Sequence, residues 1–402
     1  MYLSSVRAPK NTGSSRAVIS GNVVALGLVS LLTDVSAEMV TAILPAYLVL
    51  GLHLSVLQYG ALDGLYTGAT ALTRLLGGWV GDRTWRHKLT AGLGYALSAA
   101  CKAGLLLAGR SAVAIGGVLV IDRMGKGLRT APRDALIALS VPEKSLGRAF
   151  GVHRAMDSAG AFAGPLVAIG VLALAGSASG YDAVFVASFC IALLGVLVLV
   201  LFVRNQMGER GSASLRQAFG LLKTASFRRA CLVAMVLGLV TIGDGFVYLV
   251  LQRREDLPQL WFPLLAVGVN LGYLLLAGPV GVLADRIGRW VVLIGGHVAL
   301  LAVYLLLVAP WHGTGWVVLI LLLYGGFYAA TDGVLMAAVA PLIPESLHGS
   351  GMAVVKTAQA LAYLGSSVAF GFAWQSWGHV TALWCAVVAV VVALPVSWRL
   401  LR

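Results

Sequence analysis

Residues 112–121 read AVAIGGVLVI, and residues 122–134 read DRMGKGLRTAPRD. An unbroken apolar run is followed at once by thirteen residues that carry six charges. The whole chain of 402 residues is 59% hydrophobic and 11% charged, whereas soluble domains carry roughly 25% charged residues. So much charge after an apolar run reads either as a loop opening at Asp122 or as a helix that continues. The continuing helix, to about residue 139, is the expectation, with Pro132 kinking or ending its regular part. The charges then lie inside a membrane span.

Apolar stretches of similar length recur along the chain, and mean hydropathy is +0.91. A helix of about 20 apolar residues crosses a hydrocarbon layer of ~30 Å. The alternating ten-residue strands of a membrane barrel are absent. The spacing predicts twelve spans, at 22–50, 57–80, 89–109, 112–139, 149–176, 182–203, 228–251, 260–284, 290–310, 315–340, 350–375 and 379–398. The fold class is therefore an all-α membrane protein of two six-helix bundles. The polar segment 204–227 separates residues 1–203 from 228–402. The run after the polar first twenty residues is too long for a signal-peptide core and lacks a cleavage pattern, so it reads as an uncleaved first span.

The net charge of +13 would suggest nucleic acid in a soluble protein. Here no basic stripe interleaves with aromatics. With the N-terminus inside, the outer loops hold only Arg110, Arg253 and Arg254, and most other loop cations fall on the cytoplasmic side. That is the positive-inside pattern, and an even number of spans returns the C-terminus to the cytoplasm. Cys101, Cys190, Cys231 and Cys385 lie in apolar segments without paired spacing, so they read as small core residues rather than disulfides or zinc ligands. The histidines are scattered. No metal site, cofactor or nucleic-acid partner is expected.

The halves repeat. GGWVGDRTWRHK (77–88) follows span two and GVLADRIGRW (281–290) follows span eight, placing Asp82, Arg83 and Arg86 on Asp285, Arg286 and Arg289. PEKSLGRA (142–149) leads into span five and PESLHGSG (344–351) into span eleven, placing Arg154 on Lys356 and Asp157 on Gln359. Parallel repeats of this length are a transporter layout.

GGWVGDRTWRHK resembles the loop signature G-x-x-x-D-R-x-G-R-[KR] of the major facilitator superfamily, with Trp85 in place of the second glycine. RMGKG (123–127) is similar to that family's R-x-x-Q-G in helix four, with Lys126 for the glutamine. GAFAGPLVAIG (160–170), with Gly160, Gly164 and Pro165, resembles the helix-five motif G-x-x-x-G-P-x-x-G-G of its drug–proton antiporters, without the closing glycine pair. LLTDVSAEM, GKGLRTAPRDALIALS and GRAFGVHRAMD resemble prokaryotic members linked to nickel or drug resistance. The resemblance covers essentially the whole chain. It implies a proton-coupled secondary transporter, most simply an exporter, in the prokaryotic cytoplasmic membrane. Its partners would be a small-molecule substrate, protons and the bilayer, and it would act as a monomer. It also implies that Arg123 influences a nearby carboxyl, and that Asp82 and Asp285 latch the cytoplasmic side.

A charge at the bilayer centre costs at least ~2.5–3.5 kcal/mol, so each one in a span needs a partner, a polar cavity or a span end. Arg74 and Lys102 lie near span ends and can snorkel. Asp63 is about 9 Å from the outer end of span two and reads as interfacial or functional. Asp34 and Glu38 lie about 18 and 24 Å into span one, on one face. Two close carboxyls in low dielectric do not both ionise cheaply. They either handle a coupling proton or pair with bases on spans four and five. Arg123 lies near mid-membrane with Lys126 and Thr130 on its stripe, while Asp122 points elsewhere and is not its obvious partner. Asp244, Tyr248 and Asp332 are further cavity candidates. Arg129 and Arg133 belong to the cytoplasmic gate region. Arg154 and Lys356 either bind an anion together or pair with Asp157 and Asp332 as gating charges.

Three alternatives to an exporter remain: an importer or facilitator of a small anion, a non-transporting sensor or scaffold, and a membrane enzyme. The enzyme lacks any nucleophile–base or HExxH pattern.

Overall fold

The computed structural model describes residues 20–401 apart from 85–86, 110, 143–145, 177–179, 206–214 and 345–346. Every regular element among the described residues is helical. Lipid offers the backbone no hydrogen-bond partner, and a helix satisfies its own amides and carbonyls.

Among the described residues twelve helical passages follow one another. The first is α1 (Gly21–Ala46), which runs into a π-helical turn at Tyr47–Gly51. Then come α2 (Val56–Thr84), α3 (His87–Leu107), α4 (Ala112–Leu139), α5 (Leu146–Ala175) and α6 (Gly180–Phe202). A short α7 (Leu215–Gly220) precedes the seventh passage, which is split into α8 (Ala225–Leu239) and α9 (Asp244–Arg254). Next are α10 (Phe262–Ile287) and α11 (Arg289–Val308). The tenth passage is split into α12 (Thr314–Thr331) and α13 (Val334–Val339), and α14 (His348–Trp377) and α15 (His379–Leu401) complete the chain. Among the described residues nine passages are long and apolar enough to cross a membrane on length and composition alone. The other three long helices are α2, α4 and α14, and α4 carries the opening charged stretch. It runs through Pro132 without ending there.

The chain packs as two units. Of the described residues, those up to Thr41 join those of Ala69–Leu215 in the first, and Ala42–Gly68 joins those of Arg216–Arg402 in the second. In the first, α3 packs against α4 and α6, and α5 against α6. Gly94 and Gly125 let the α3 and α4 backbones touch: a Cβ on Gly94 would lie 2.7 Å from the Gly125 carbonyl oxygen, and one on Gly125 2.8 Å from that of Gly94. Small residues at crossings are the usual route to close helix packing in lipid. In the second unit α10 packs on α12, α14 on α8, and α11 on α12 and α15. Its core includes Phe227, Val233, Leu293, Leu335 and Val355.

Leu193, Leu197, Val200 and Leu201 on α6, and Val388, Val391 and Val392 on α15, are exposed. Such apolar surface suits lipid rather than water. Cys190 and Cys385 lie on these two helices and are exposed as well. This corrects the expectation of four buried cysteines; only Cys101 and Cys231 are core residues.

Candidate functional site

The first unit gathers its span charges in two neighbouring groups. One is buried outright. Lys102 Nζ lies 2.7 Å from Asp122 Oδ1, and Arg123 Nη2 lies 2.9 Å from Asp122 Oδ2. Arg123 Nε also donates to Oδ2 at 3.2 Å, and Ser98 Oγ donates to Oδ1. Lys102 is 3% exposed, so it is a buried partner and not a snorkelling end residue. Asp122 is the partner of Arg123, against the expectation from helix geometry. Adjacent helical residues do point apart, but the long arginine side chain bends back to the carboxylate. Arg129 is also buried and stacks over Tyr95, with its Cζ 4.6 Å from the ring centroid.

The other group is half-buried and runs between α1, α4 and α5. The Asp34 carboxyl comes within hydrogen-bonding reach of the Asp157 carboxyl. Ser30 Oγ donates to Asp157 Oδ1 at 2.7 Å, and Arg133 Nη1 stands 4.0 Å from the same oxygen. Arg133 also donates to Ser30 Oγ at 3.3 Å and pairs with Asp134 at 2.9 Å. The cations within electrostatic reach of Asp34 are Lys126 and Arg129, and Lys126 also reaches Glu38. The Thr130 hydroxyl donates to the Lys126 carbonyl of its own helix at 2.7 Å. Asp34 thus meets Asp157 rather than acting with Glu38 alone. Asp157 takes Arg133 as its cation, and Arg154 is exposed.

Gly160 and Gly164 bring α5 against α1 at this point. A Cβ on Gly160 would lie 3.1 Å from Leu31 Cα and 3.2 Å from Asp34 Cβ, and one on Gly164 2.7 Å from Glu38 Cβ and 2.8 Å from the Val35 carbonyl oxygen. Pro165 follows within the same helix. The glycines therefore set the spacing between the carboxyl-bearing faces of α1 and α5. Gly164→Ala should cost about 1–3 kcal/mol through overpacking, read as a lowered unfolding temperature of the purified protein. An unchanged temperature would mean α1 and α5 part freely.

In the second unit both broken passages place an aspartate at the break. Asp244 opens α9 after the non-helical residues 240–243, and Asp332 and Gly333 (φ 81°) separate α12 from α13. Tyr304 closes over the first break: its hydroxyl donates to the Val240 carbonyl at 3.2 Å and accepts from the Ile242 amide at 3.0 Å. Tyr324 donates to Asp244 Oδ1 at 2.7 Å, and Tyr328 donates to the same oxygen. Asp63 of α2 accepts from Ser367 Oγ of α14 at 2.8 Å and from Tyr363. A Cβ on Gly243 would collide with this Asp63 carboxylate. Asp63 is thus held by contacts inside the second unit, and it lies within electrostatic reach of Asp244. Tyr248 is buried and meets Phe262 edge-on, with centroids 6.1 Å apart.

Asp285 pairs with Arg289 at 3.2 Å, and Arg289 Nη1 donates to the Ala337 carbonyl at 2.8 Å. Arg286 is exposed. Lys356 lies 3.4 Å from Asp332. The matching loop of the first half falls outside: Arg86 is not among the described residues, and neither are the side chains of Arg74, Asp82 and Arg83.

The two breaks escaped the sequence reading because the apolar runs are continuous across them. TIGDG (241–245) and TDG (331–333) hold turn residues that signal an interruption. The tyrosine partners had no signal of their own.

Twelve helical passages in two repeated halves, with buried and half-buried charges inside the spans, define a polytopic membrane transporter. The Major Facilitator Superfamily model matches residues 26–367 and again 263–401, and the chain belongs to that family. It is 29% identical over 396 residues, 96% of both chains, to an uncharacterised MFS-type transporter of Methanocaldococcus jannaschii. Among solved structures it is similar to the nucleoside transporter NupG (TM-score 0.78, 15% identity, 94% of this chain and 99% of that one). It is also similar to an inward-facing bacterial homolog of the human lysosomal transporter Spinster (TM-score 0.74, 18% identity, 97% and 98%). At these identities the structures share the fold alone. The chain is a multi-pass secondary transporter of a small molecule and not an enzyme.

Proposed function

We propose that this transporter is a proton-coupled exporter, working by alternating access in the prokaryotic cytoplasmic membrane as a monomer with both termini inside. The moving bundles of that mechanism are residues 1–203 and 228–402, joined by 204–227. What supports the coupling is that the Asp34 and Asp157 carboxyls come within hydrogen-bonding reach of each other between α1 and α5. An ionised carboxylate only accepts, so two carboxyls bond each other when one holds a proton. The half-buried position of both residues leaves that proton open to exchange.

Lys126 supplies the switch. It can compensate Asp34 and Glu38 once the proton leaves, and a substrate that draws Lys126 away favours reprotonation. Arg133 and Ser30 hold Asp157 as the acceptor. Asp244, Tyr248 and Asp332 are the substrate-side candidates of the second unit, and Asp82, Arg83, Arg86, Asp285, Arg286 and Arg289 the latch. Anion import would draw on Arg123, Lys126, Arg154 and Lys356. Arg123 is engaged by Asp122 and Lys356 by Asp332, so that reading has less to bind with.

The test is flux in vesicles of purified protein under an imposed pH gradient, with ethidium, nickel ion and inorganic phosphate as probes. Movement of ethidium or nickel against the proton flow supports the exporter. Phosphate moving with protons supports the importer, and flux of all three indifferent to pH contradicts proton coupling.

A further inference from the structure

His153 lies one turn before Asp157 on α5 and is 4% exposed. Neither its Nδ1 nor its Nε2 has a hydrogen-bond partner among the described residues. A buried polar group without a partner is costly, and buried polar groups that meet no protein partner are commonly held by water. The charged groups within electrostatic reach of the ring include Arg133 and Asp134 from α4 and Asp157 and Arg154 from its own helix. Asp157 lies one helical turn further along α5 and within electrostatic reach of the ring. On the other side of Asp157 stands Asp34. The three residues form a file from the start of α5 into the carboxyl pair.

We infer that His153 relays the coupling proton between the Asp34–Asp157 pair and the end of the membrane where α5 begins. The ring takes a proton on one nitrogen through a bridging water as the carboxyl pair loses it. It then releases a proton from the other nitrogen to the aqueous side. One proton enters the ring and one leaves, so the imidazole ends as it began with its tautomer exchanged. This role rests on the reading of Asp34–Asp157 as the coupling pair and goes beyond it by naming the path.

The experiment follows the protonated-carboxyl infrared band of the purified full chain in lipid nanodiscs after an alkaline pH jump. Asp34→Asn and Asp157→Asn assign the band. His153→Phe and His153→Gln keep the bulk but carry no titrating nitrogen. Both should slow loss of the band about tenfold or more, with its amplitude and the unfolding temperature close to wild type. A merely structural role would lower amplitude and unfolding temperature and leave the rate alone. An assigned band lost at the wild-type rate in either folded variant overturns the relay. Absence of any band assignable to Asp34 or Asp157 in the wild type overturns the coupling pair, and the relay with it.

Discussion

Asp34→Asn and Asp157→Asn are each expected to abolish pH-driven accumulation while leaving exchange of the same probe across the membrane. With one proton per substrate, a one-unit pH gradient sustains about a tenfold substrate gradient. Either variant should bring that ratio to unity. Each carboxyl is needed for a different reason. Without Asp34, Asp157 keeps Ser30 and Arg133 and stays an ordinary ion-paired carboxylate. Without Asp157, Asp34 loses its neighbouring carboxyl and keeps Lys126 and Arg129 within electrostatic reach. In neither case do two carboxyls compete for one proton. Vesicle flux with whichever probe the wild type carries decides this. Retained accumulation in both variants would place the coupling elsewhere.

The second large effect is on stability. Asp122→Asn removes the only carboxylate in direct contact with both Lys102 and Arg123 among the described residues. Breaking a buried ion pair by deleting one partner costs roughly 3–5 kcal/mol, because the remaining charge is stranded in low dielectric. Here two cations are stranded, so the upper part of that range is expected, read as lower yield and a lowered unfolding temperature. Adding Lys102→Met to Asp122→Asn should restore part of the loss by removing one stranded charge. A double variant no more stable than the single one would count against the buried triad.

The twelve passages were legible because a membrane demands runs of about 20 apolar residues, and the chain has little else between its loops. The repeated loops and the resemblance at 77–88 and 160–170 pointed to the transporter family for the same physical reason: glycines at helix crossings and charges in short loops leave local marks. Partner choice left no such mark. Asp122 and Arg123 are neighbours in sequence, and the spacing rule that separates their faces takes no account of side-chain length or of Lys102 arriving from α3. Asp34 stood out by its depth, yet its partner Asp157 sits 123 positions away, on a helix whose approach depends on Gly160 and Gly164. Asp63 was ambiguous because its distance from the span end says nothing of α14, which supplies Ser367 and Tyr363. The breaks before Asp244 and after Thr331 were hidden inside apolar runs that hydropathy reads as whole.

The proton proposed to be shared by Asp34 and Asp157 is open to direct observation. Infrared spectra of the resting wild-type protein in lipid should show a protonated carboxyl band that disappears in Asp34→Asn and also in Asp157→Asn, since either substitution breaks the pair. A spectrum unchanged by both substitutions would contradict the Asp34–Asp157 pair as the seat of proton coupling.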